Sequence, residues 1–164
     1  MDVLSLSDGY HVSDSKVEDL KWMQEALALA KNAALRGEVP VGAVIVYDNQ
    51  LIASGSNTRE ERQEAISHAE TEAISSACRA LSSWRLTGCT LYVTLEPCIM
   101  CAGAIYQARL DRVVFGAIDP KAGAMGSLYR IHEDTRLNHR LPVEGGILAD
   151  DCGAVLKEFF RARR

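Results

Sequence analysis

The feature that most limits the fold is a pair of cysteines, Cys98 and Cys101, directly behind Pro97 in the run TLEPCIMCAG. The run follows a predicted strand, Thr90 to Leu95. Pro97 is expected to open a helix, because its missing N–H would be unpaired at the first helical position anyway. Two thiols at this spacing suit a redox pair, half of a structural zinc finger or part of a catalytic metal centre. Two thiols cannot complete a tetrahedral metal site, so further ligands must come from elsewhere in the chain.

A His-x-Glu segment 30 residues before the cysteines favours the catalytic metal centre. His68 stands at the start of a second predicted helix, 68–81. Cys98 and Cys101 face one side of their own helix, because residues three apart are neighbours on a helix surface. One imidazole and two thiolates leave the fourth position of a tetrahedral zinc open, whereas a structural zinc site is closed. Glu70 would stand beside that open position and carry protons to and from a metal-activated water.

Hydrophobic periodicity along the chain predicts an α/β domain. A polar leader, residues 1–16, precedes a helix over 17–36, and two strands, 41–47 and 51–54, are expected to form a hairpin. Strands and helices then alternate to the C-terminus, which predicts a central mixed β-sheet sandwiched by helices. We therefore expect one domain over residues 17–164.

Four further segments complete the predicted element order. Residues 57–67 form a charged loop, and residues 128–139 are expected to be partly helical. Residues 143–148 are predicted as a last strand. A final helix over 150–161 would have Asp150 as its N-cap, since aspartate accepts hydrogen bonds from the first N–H groups of a helix.

Composition narrows the classes of function. The five cysteines are odd in number and sparse, so a disulfide framework is not expected. No apolar run approaches the roughly 18–20 residues of a membrane span. The acidic, polar N-terminus lacks the features of a signal peptide, so a cytoplasmic location is expected. The net charge of −4 does not indicate nucleic-acid binding, although residues 105–164 carry ten Lys or Arg against eight Asp or Glu.

The combination of H-x-E with a later P-C-x-x-C is the signature of the zinc nucleobase deaminases. On this motif the chain resembles the cytidine-deaminase-like zinc deaminases, and further stretches make it most similar to the bacterial tRNA adenosine deaminases within them. These stretches are Gly37–Ala43, Ser83–Leu86, Thr90–Gly103, Val113–Ala117, Gly126–Leu128, Asn138–Arg140 and Phe159–Phe160. One departure is Ala65-Ile66-Ser67, where the family often has Pro-Thr-Ala.

The resemblance implies a cytidine-deaminase-like three-layer α/β/α fold, a homodimer and one catalytic Zn²⁺ per subunit. It implies that a zinc-activated hydroxide deaminates the wobble adenosine of a tRNA anticodon stem-loop to inosine. In this sequence His68, Cys98 and Cys101 would hold zinc, and Glu70 would shuttle the proton. Substrate contacts are implied at Asn57 (the base), Val41 and Ala69 (the pocket), Asp119 and Lys121 (the anticodon nucleotides) and Phe159 (the substrate loop).

Each implied substrate contact also has a simpler explanation. The alternatives are a turn residue at Asn57, strand core at Val41, turn initiation at Asp119, a solvated charge at Lys121 and core packing at Phe159. Three other functions stay open at this point. They are a zinc deaminase of guanine, cytosine or a nucleotide, a zinc-stabilised RNA-binding protein without activity, and a thiol–disulfide enzyme.

Overall fold

A mixed β-sheet forms the centre of the molecule. The computed structural model describes residues 14–163, which contain strands β1 (Gly42–Tyr47), β2 (Gln50–Ser56), β3 (Cys89–Leu95), β4 (Arg112–Ala117) and β5 (Val143–Glu144). Within these residues the five strands lie in the order β2-β1-β3-β4-β5. β1 pairs antiparallel with β2 and with β3, whereas β3 pairs parallel with β4 and β4 with β5.

Helices cover both faces of the sheet, which confirms the predicted three-layer α/β/α sandwich. The α-helices of the described residues are α1 (Asp14–Leu35), α2 (Arg59–Arg62), α3 (Ala69–Leu81), α4 (Ile99–Gln107) and α5 (Ala149–Arg161). Successive strand residues point to opposite layers. Val44 and Tyr92 belong to the core beneath α1 and α5, whereas Ile45 and Leu91 belong to the core beneath α3 and α4.

Helix α1 begins earlier than the sequence predicts. It starts at Asp14, so residues 14–16 of the predicted leader are helical. The rest of that leader, residues 1–13, lies outside the described residues. Over the described part of the chain, no helix combines the length and apolar character that a membrane crossing requires.

Gly55 of β2 lets α3 lie directly against the sheet. A Cβ atom placed on Gly55 would lie 2.4 Å from the carbonyl oxygen of Ala69 and 2.7 Å from the backbone nitrogen of Ala73. Any side chain here would therefore push the helix away from the strand. Because Ala69 is the first residue of α3, this contact sets the height of the N-terminus of α3 above the sheet.

A buried polar network joins α1 to the sheet on the opposite face. The carboxylate of Asp19 accepts a hydrogen bond from the hydroxyl of Tyr92 at 2.8 Å. It also accepts two from the guanidinium of Arg112, at 2.8 and 2.7 Å. Asp19 is buried, so these donors replace the water that the carboxylate loses on folding.

The helix starts differ from two predictions. Helix α4 begins at Ile99 with Cys98 as its N-cap, so Pro97 is not the first helical residue. The reason is that the carbonyl of Pro97 accepts a hydrogen bond from the N–H of Ala124 at 2.8 Å, which keeps this segment extended. Asp150 is not the cap of α5 either, because the helix begins at Ala149 and its N-cap is the preceding leucine.

Three other segments differ from the sequence-based expectation in extent. The charged loop 57–67 contains the short helix α2. Residues 128–139 hold only a 3₁₀ turn, Ile131–Glu133. The last strand ends at Glu144. Gly146, two residues further on, has a positive φ of 95° that does not continue a strand, although its N–H still donates to the carbonyl of Gly116 at 3.0 Å.

Candidate metal centre and active site

The three predicted metal ligands lie at two helix N-termini that meet. His68 is the N-cap of α3 and Cys98 is the N-cap of α4, and both have extended backbone conformations. Cys101 lies in the first turn of α4 and is fully buried. The turn from β3 into α4 therefore presents the two cysteines, whereas His68 ends the segment that leads from α2 into α3. The close contact at Gly55 holds the start of α3, and with it His68, against the sheet.

The distances between these side chains fit a metal ion. Nδ1 of His68 lies 3.7 Å from Sγ of Cys98 and 3.5 Å from Sγ of Cys101. Ideal tetrahedral zinc with its usual bond lengths to sulfur and nitrogen separates these atoms by about 3.6 Å. The ligand atoms of all three residues lie within 4.8 Å of one another. The donor set and its spacing therefore suit zinc and leave one position of a tetrahedron for another ligand.

Hydrogen bonding within the cluster already favours a thiolate. Hydrogen bonds from Cys101 and His68 lower the pKa of the Cys98 thiol to about 4. The pKa of Cys101 is raised, because it makes this hydrogen bond to Cys98 and because it is buried. The pKa of His68 is raised, chiefly by its hydrogen bond to Cys98. A metal binds cysteine as the thiolate, so one of the two sulfurs is prepared for it.

Thr71 holds the backbone of His68 in place. Its Oγ1 accepts a hydrogen bond from the N–H of His68 at 3.1 Å. The same hydroxyl lies within donating distance of the carbonyl oxygens of Ile66 and His68. This arrangement fixes the cap of α3, and with it the direction in which the imidazole leaves the helix.

A pocket of about 230 Å³ opens beside the cluster. Its wall brings together seven of the ten residues that the sequence singled out, namely Val41, Asn57, His68, Ala69, Glu70, Cys98 and Asp119. The remaining lining residues are Val39, Arg59, Leu95, Glu96 and Ala122. The volume is below the roughly 300–1,000 Å³ of sites that enclose drug-sized ligands. The pocket is therefore small enough to select a single flat ring system.

Glu70 lies in the first turn of α3 and lines the pocket beside His68. Its side chain is 4% exposed, and burial raises its pKa above the usual range. Burial of a carboxylate costs stability unless the group is paired or hydrogen-bonded. Its position beside three potential metal ligands suits transfer of protons at the pocket.

Asn57 presents an unpaired polar atom at the pocket. The residue is 6% exposed, and its Oδ1 has no hydrogen-bond partner among the described residues. Its backbone N–H donates to the carbonyl of Val41 at 3.2 Å, so the two pocket residues are held side by side. A buried amide oxygen without a partner is costly, which is the mark of a group kept for a ligand.

Two of the predicted substrate residues are not part of the pocket wall. Lys121 is exposed on the loop that follows Asp119. Phe159 is 7% exposed, and the guanidinium of Arg163 lies 3.6 Å from the centre of its ring. The neighbouring Phe160 is 49% exposed and meets Phe159 edge to face. The structure therefore places Phe159 beneath an arginine and not among the residues that line the pocket.

The pocket also contains residues that the sequence did not single out. Glu96 is the most informative of these, because a carboxylate directly behind a buried strand is unusual and could have been noticed. Its side chain is 2% exposed, and its pKa is held below the usual range. Burial raises that pKa, but hydrogen bonds from the Ser127 hydroxyl and from backbone N–H groups lower it by more. Arg59 was assigned to a charged loop, and nothing in its immediate sequence distinguishes it from its neighbours.

Comparison with known proteins agrees with this fold and site. Residues 17–164 match the MafB19-like deaminase family. A curated tRNA-specific adenosine deaminase of Bacillus subtilis is 50% identical over 147 residues, which are 90% of this chain and 91% of the relative. A similar protein of Streptococcus pyogenes, also named tRNA-specific adenosine deaminase, is 48% identical over 90% of this chain and 86% of its own.

A solved structure agrees with the curated relatives. It comes from a study of A-to-I editing by tRNA:A34 deaminases at the wobble position of transfer RNA. It superposes with a TM-score of 0.80 at 43% identity, over 83% of this chain and 99% of that chain. Fold and site thus define the class as the hydrolytic deaminases. The chain belongs to the MafB19-like deaminase family, on the branch of the tRNA-specific adenosine deaminases.

Proposed function

We propose that this chain hydrolyses the amino group of the wobble adenosine in a tRNA anticodon loop, so that adenosine and water become inosine and ammonia. The observation that carries the proposal is that one base-sized pocket is lined by the buried carboxylate of Glu70 and by two members, His68 and Cys98, of a group of three potential metal ligands. Relatives that are named tRNA-specific adenosine deaminases support the choice of substrate. Hydrolytic deamination is a reaction that this set of groups can perform.

We assign one zinc ion per subunit to His68, Cys98 and Cys101. The spacing of their donor atoms, 3.5 to 3.7 Å from the imidazole to the sulfurs, supports this assignment. When bound, zinc would lower the pKa of a water molecule to about 7 and so make a nucleophile available at neutral pH. The residues of the chain then have three tasks: they hold the base, exclude bulk water and move protons.

Glu70 would move the protons. Its carboxylate accepts a proton from the attacking water and delivers it to N1 of adenine while the new C6–O bond forms. It then takes the second proton of that oxygen and passes it to the amino nitrogen, so that the C6–N6 bond breaks and ammonia leaves. One carboxylate can perform both transfers because it returns to its ionised form after each.

Asn57, Val41 and Ala69 would hold the base. The free Oδ1 of Asn57 supplies an acceptor and its amide nitrogen a donor, and a purine edge offers the complement of both. Val41 is buried in the pocket wall and would contact the face of the ring. The pocket would thus recognise an extruded base by shape and by hydrogen bonds.

Contacts to the flanking nucleotides would lie outside the pocket. Sequence-specific RNA readers bind splayed loop bases and the phosphates beside them. Lys121 is exposed on the loop next to the pocket residue Asp119, which suits contact with the anticodon backbone. The guanidinium of Arg163 covers the ring of Phe159, so Phe159 would reach the RNA only if Arg163 moved. We therefore assign Arg163 and Phe159 together to the contact with the RNA.

We further propose that the enzyme is a cytoplasmic homodimer whose catalytic domain comprises residues 17–164 together with residues 14–16, which belong to α1. The family match supports residues 17–164 of this domain. The expected substrate, tRNA, supports the location. Light scattering of the purified protein tests the assembly: we expect the mass of two chains, and the mass of one chain would contradict the dimer.

A free nucleobase is the second candidate substrate, because the pocket alone has room for about one ring system. A guanine deaminase of Nitrosomonas europaea superposes with a TM-score of 0.73 at 23% identity, over 94% of this chain and 97% of that chain. Structural similarity at that level of identity supports the shared fold alone.

Incubation of the zinc-loaded protein with an anticodon stem-loop bearing a wobble adenosine decides between the two substrates. Free adenine, guanine and cytosine serve as parallel substrates, and mass spectrometry identifies the products. We expect inosine in the RNA and unchanged free bases. Deamination of a free base without inosine in the RNA would show that the tRNA proposal is wrong.

A further inference from the structure

We propose that Glu96 is a positioning residue, whose buried carboxylate holds residues 119–127. This segment contributes Asp119 and Ala122 to the wall of the base pocket and presents Lys121 to the RNA beside the reacting base. Residues 119–127 are called the 119–127 loop below. The inference rests on the proposed function and adds to it a residue that sets affinity for the RNA. It assigns Glu96 no contact with the reacting atoms.

The carboxylate of Glu96 binds the 119–127 loop at both of its ends. Oε1 accepts a hydrogen bond from the N–H of Asp119 at 3.1 Å and one from the hydroxyl of Ser127 at 2.5 Å. Oε2 accepts hydrogen bonds from the N–H groups of Met125 and Ser127, at 3.1 and 3.0 Å. The middle of the loop packs directly on the same group, since a Cβ atom on Gly123 would lie 2.2 Å from Oε2.

These contacts require the charge and the two oxygens of a carboxylate. Among residues 14–163 no basic side chain forms an ion pair with Glu96. Its charge is therefore balanced by the N–H and O–H dipoles of the loop. A glutamine has nearly the same size, but its amide nitrogen would face N–H donors in place of an accepting oxygen. Glu96→Gln should consequently loosen one end of the loop while the packing volume stays the same.

The loop transmits this constraint to the pocket and to Lys121. Asp119 and Ala122 line the pocket. Oδ1 of Asp119 accepts hydrogen bonds from the N–H groups of Lys121 and Ala122, at 3.0 and 3.2 Å. Glu96 thus fixes the backbone of Asp119, and Asp119 fixes the start of the segment that presents Lys121. A lysine held at the pocket rim is suited to an RNA phosphate.

The metal cluster has its own attachment to the loop. The N–H of Ala124 donates to the carbonyl of Pro97 at 2.8 Å, and Cys98 forms a bridge with Gly123. Neither contact uses the side chain of Glu96. A change of that side chain should therefore leave the two cysteines in place and leave metal binding intact.

Steady-state kinetics on the stem-loop substrate, with the zinc-loaded full chain, test the proposal. For Glu96→Gln we expect KM to rise about tenfold while kcat stays within about threefold, because misplacement of a binding wall weakens ground-state and transition-state binding alike. Bound zinc should remain near one per chain. Glu25→Gln, which removes an exposed carboxylate of α1 on the opposite face, is the control and should behave like the unmodified chain.

Ser127→Ala is the milder variant and serves if Glu96→Gln does not fold. It removes one hydroxyl donor to Glu96 and leaves the backbone hydrogen bonds. We expect KM to rise about threefold with kcat unchanged, as suits the loss of one of several hydrogen bonds. Unchanged KM in this variant, or equal losses of kcat and bound zinc, would overturn the proposal.

A double-mutant cycle with Lys121→Ala tests the connection through the loop. Lys121→Ala should raise KM in the unmodified chain and change it little in the Glu96→Gln background, because residues that act through one element are not additive. If the two increases in KM simply multiply in the double variant, Glu96 and Lys121 act separately and the proposal is overturned.

If the unmodified chain and Glu25→Gln form no inosine, the proposed function fails and this inference fails with it. If both form inosine and Glu96→Gln matches them, only the role of Glu96 is wrong.

Discussion

Asp19 of α1 and Arg112 of β4, which are 93 residues apart in the chain, are joined by two hydrogen bonds of 2.8 and 2.7 Å. Burial raises the pKa of the Asp19 carboxyl, but the hydrogen bonds from Arg112 and Tyr92 together outweigh burial and lower it. The pair fastens the first helix to the strands that also carry the site. Its contribution to stability depends on an ionised carboxylate.

Replacement of Asp19 by Asn should make stability less dependent on pH. At pH 7 we expect the free energy of unfolding to fall by about 2 kcal/mol, because a charged hydrogen-bond acceptor is lost and Arg112 stays partly buried. The folded pKa of Asp19 lies below its unfolded value of about 3.9, so its stabilisation is present above that value and disappears as the pH falls through the folded pKa. Urea denaturation of both proteins across this range measures the difference. A difference in the free energy of unfolding between the two proteins that stays constant down to the lowest pH would contradict this account.

Replacement of Glu70 by Ala should separate proton transfer from metal binding. We expect kcat on the stem-loop to fall by about 10²- to 10⁴-fold, the usual contribution of a general acid–base group. Metal analysis should still find about one zinc per chain. The matched variant is Cys101→Ala, which should lose both zinc and activity because it removes a ligand. Equal zinc loss in the two variants would show that Glu70 serves the metal site.

Removal of the metal by a chelator should abolish deamination, and added Zn²⁺ should restore it. The restored activity should reach its maximum at one Zn²⁺ per chain, as expected for one cluster of His68, Cys98 and Cys101. Titration with zinc during the stem-loop assay provides the measurement. Full deamination by the metal-free protein would contradict the assignment of a catalytic zinc to this cluster.

Replacement of Asn57 by Ala should reduce activity more than stability. Its buried Oδ1 has no partner in the described residues, so little hydrogen-bond energy is lost from the folded chain. We expect kcat/KM to fall by about 10- to 100-fold and the free energy of unfolding to change by less than about 1 kcal/mol. Kinetics and urea denaturation of the same preparation check both parts. A large loss of stability would indicate that Asn57 is a structural turn residue.

Replacement of Gly55 by Ala should weaken metal binding indirectly, because Gly55 packs against the start of α3. The added methyl group would collide with the carbonyl oxygen of Ala69, which displaces the start of α3 and with it His68. We expect the zinc dissociation constant to rise by about tenfold or more, since small displacements of ligands are costly. Gly153→Ala in α5 is the control, because nothing lies within 4 Å of its added atom. It should leave zinc affinity unchanged.

The convergence of the three candidate metal ligands could be predicted from the sequence because they belong to short local patterns. The spacing of Cys98 and Cys101 places both at one helix start, and His68 stands at the start of another segment with helical periodicity. The strands of the central sheet were also predictable, because residues that are buried on a sheet face must be apolar wherever they occur. Local sequence patterns were therefore sufficient to predict the layers of the fold and the three candidate ligands.

The contacts that shape the pocket could not be predicted in this way. Glu96 depends on donors more than 20 residues further along the chain, and no periodicity marks such partners. The error at Pro97 has the same origin, because a hydrogen bond from Ala124 holds its carbonyl outside the helix. Arg163 over Phe159 is a third case: the sequence indicates an aromatic residue but says nothing of what covers it.

The position of His68 and Cys98 at helix caps has a consequence for the apo protein. A cation shared by them would tie the beginning of α3 to the beginning of α4, and the chain between them contains all of α3 and β3. Because the ligands converge only in the folded chain, binding of the ion would stabilise the folded state relative to the unfolded one. Loss of such an ion should therefore let the two helix starts fray first, so that metal occupancy would affect the persistence of the fold as well as the reaction.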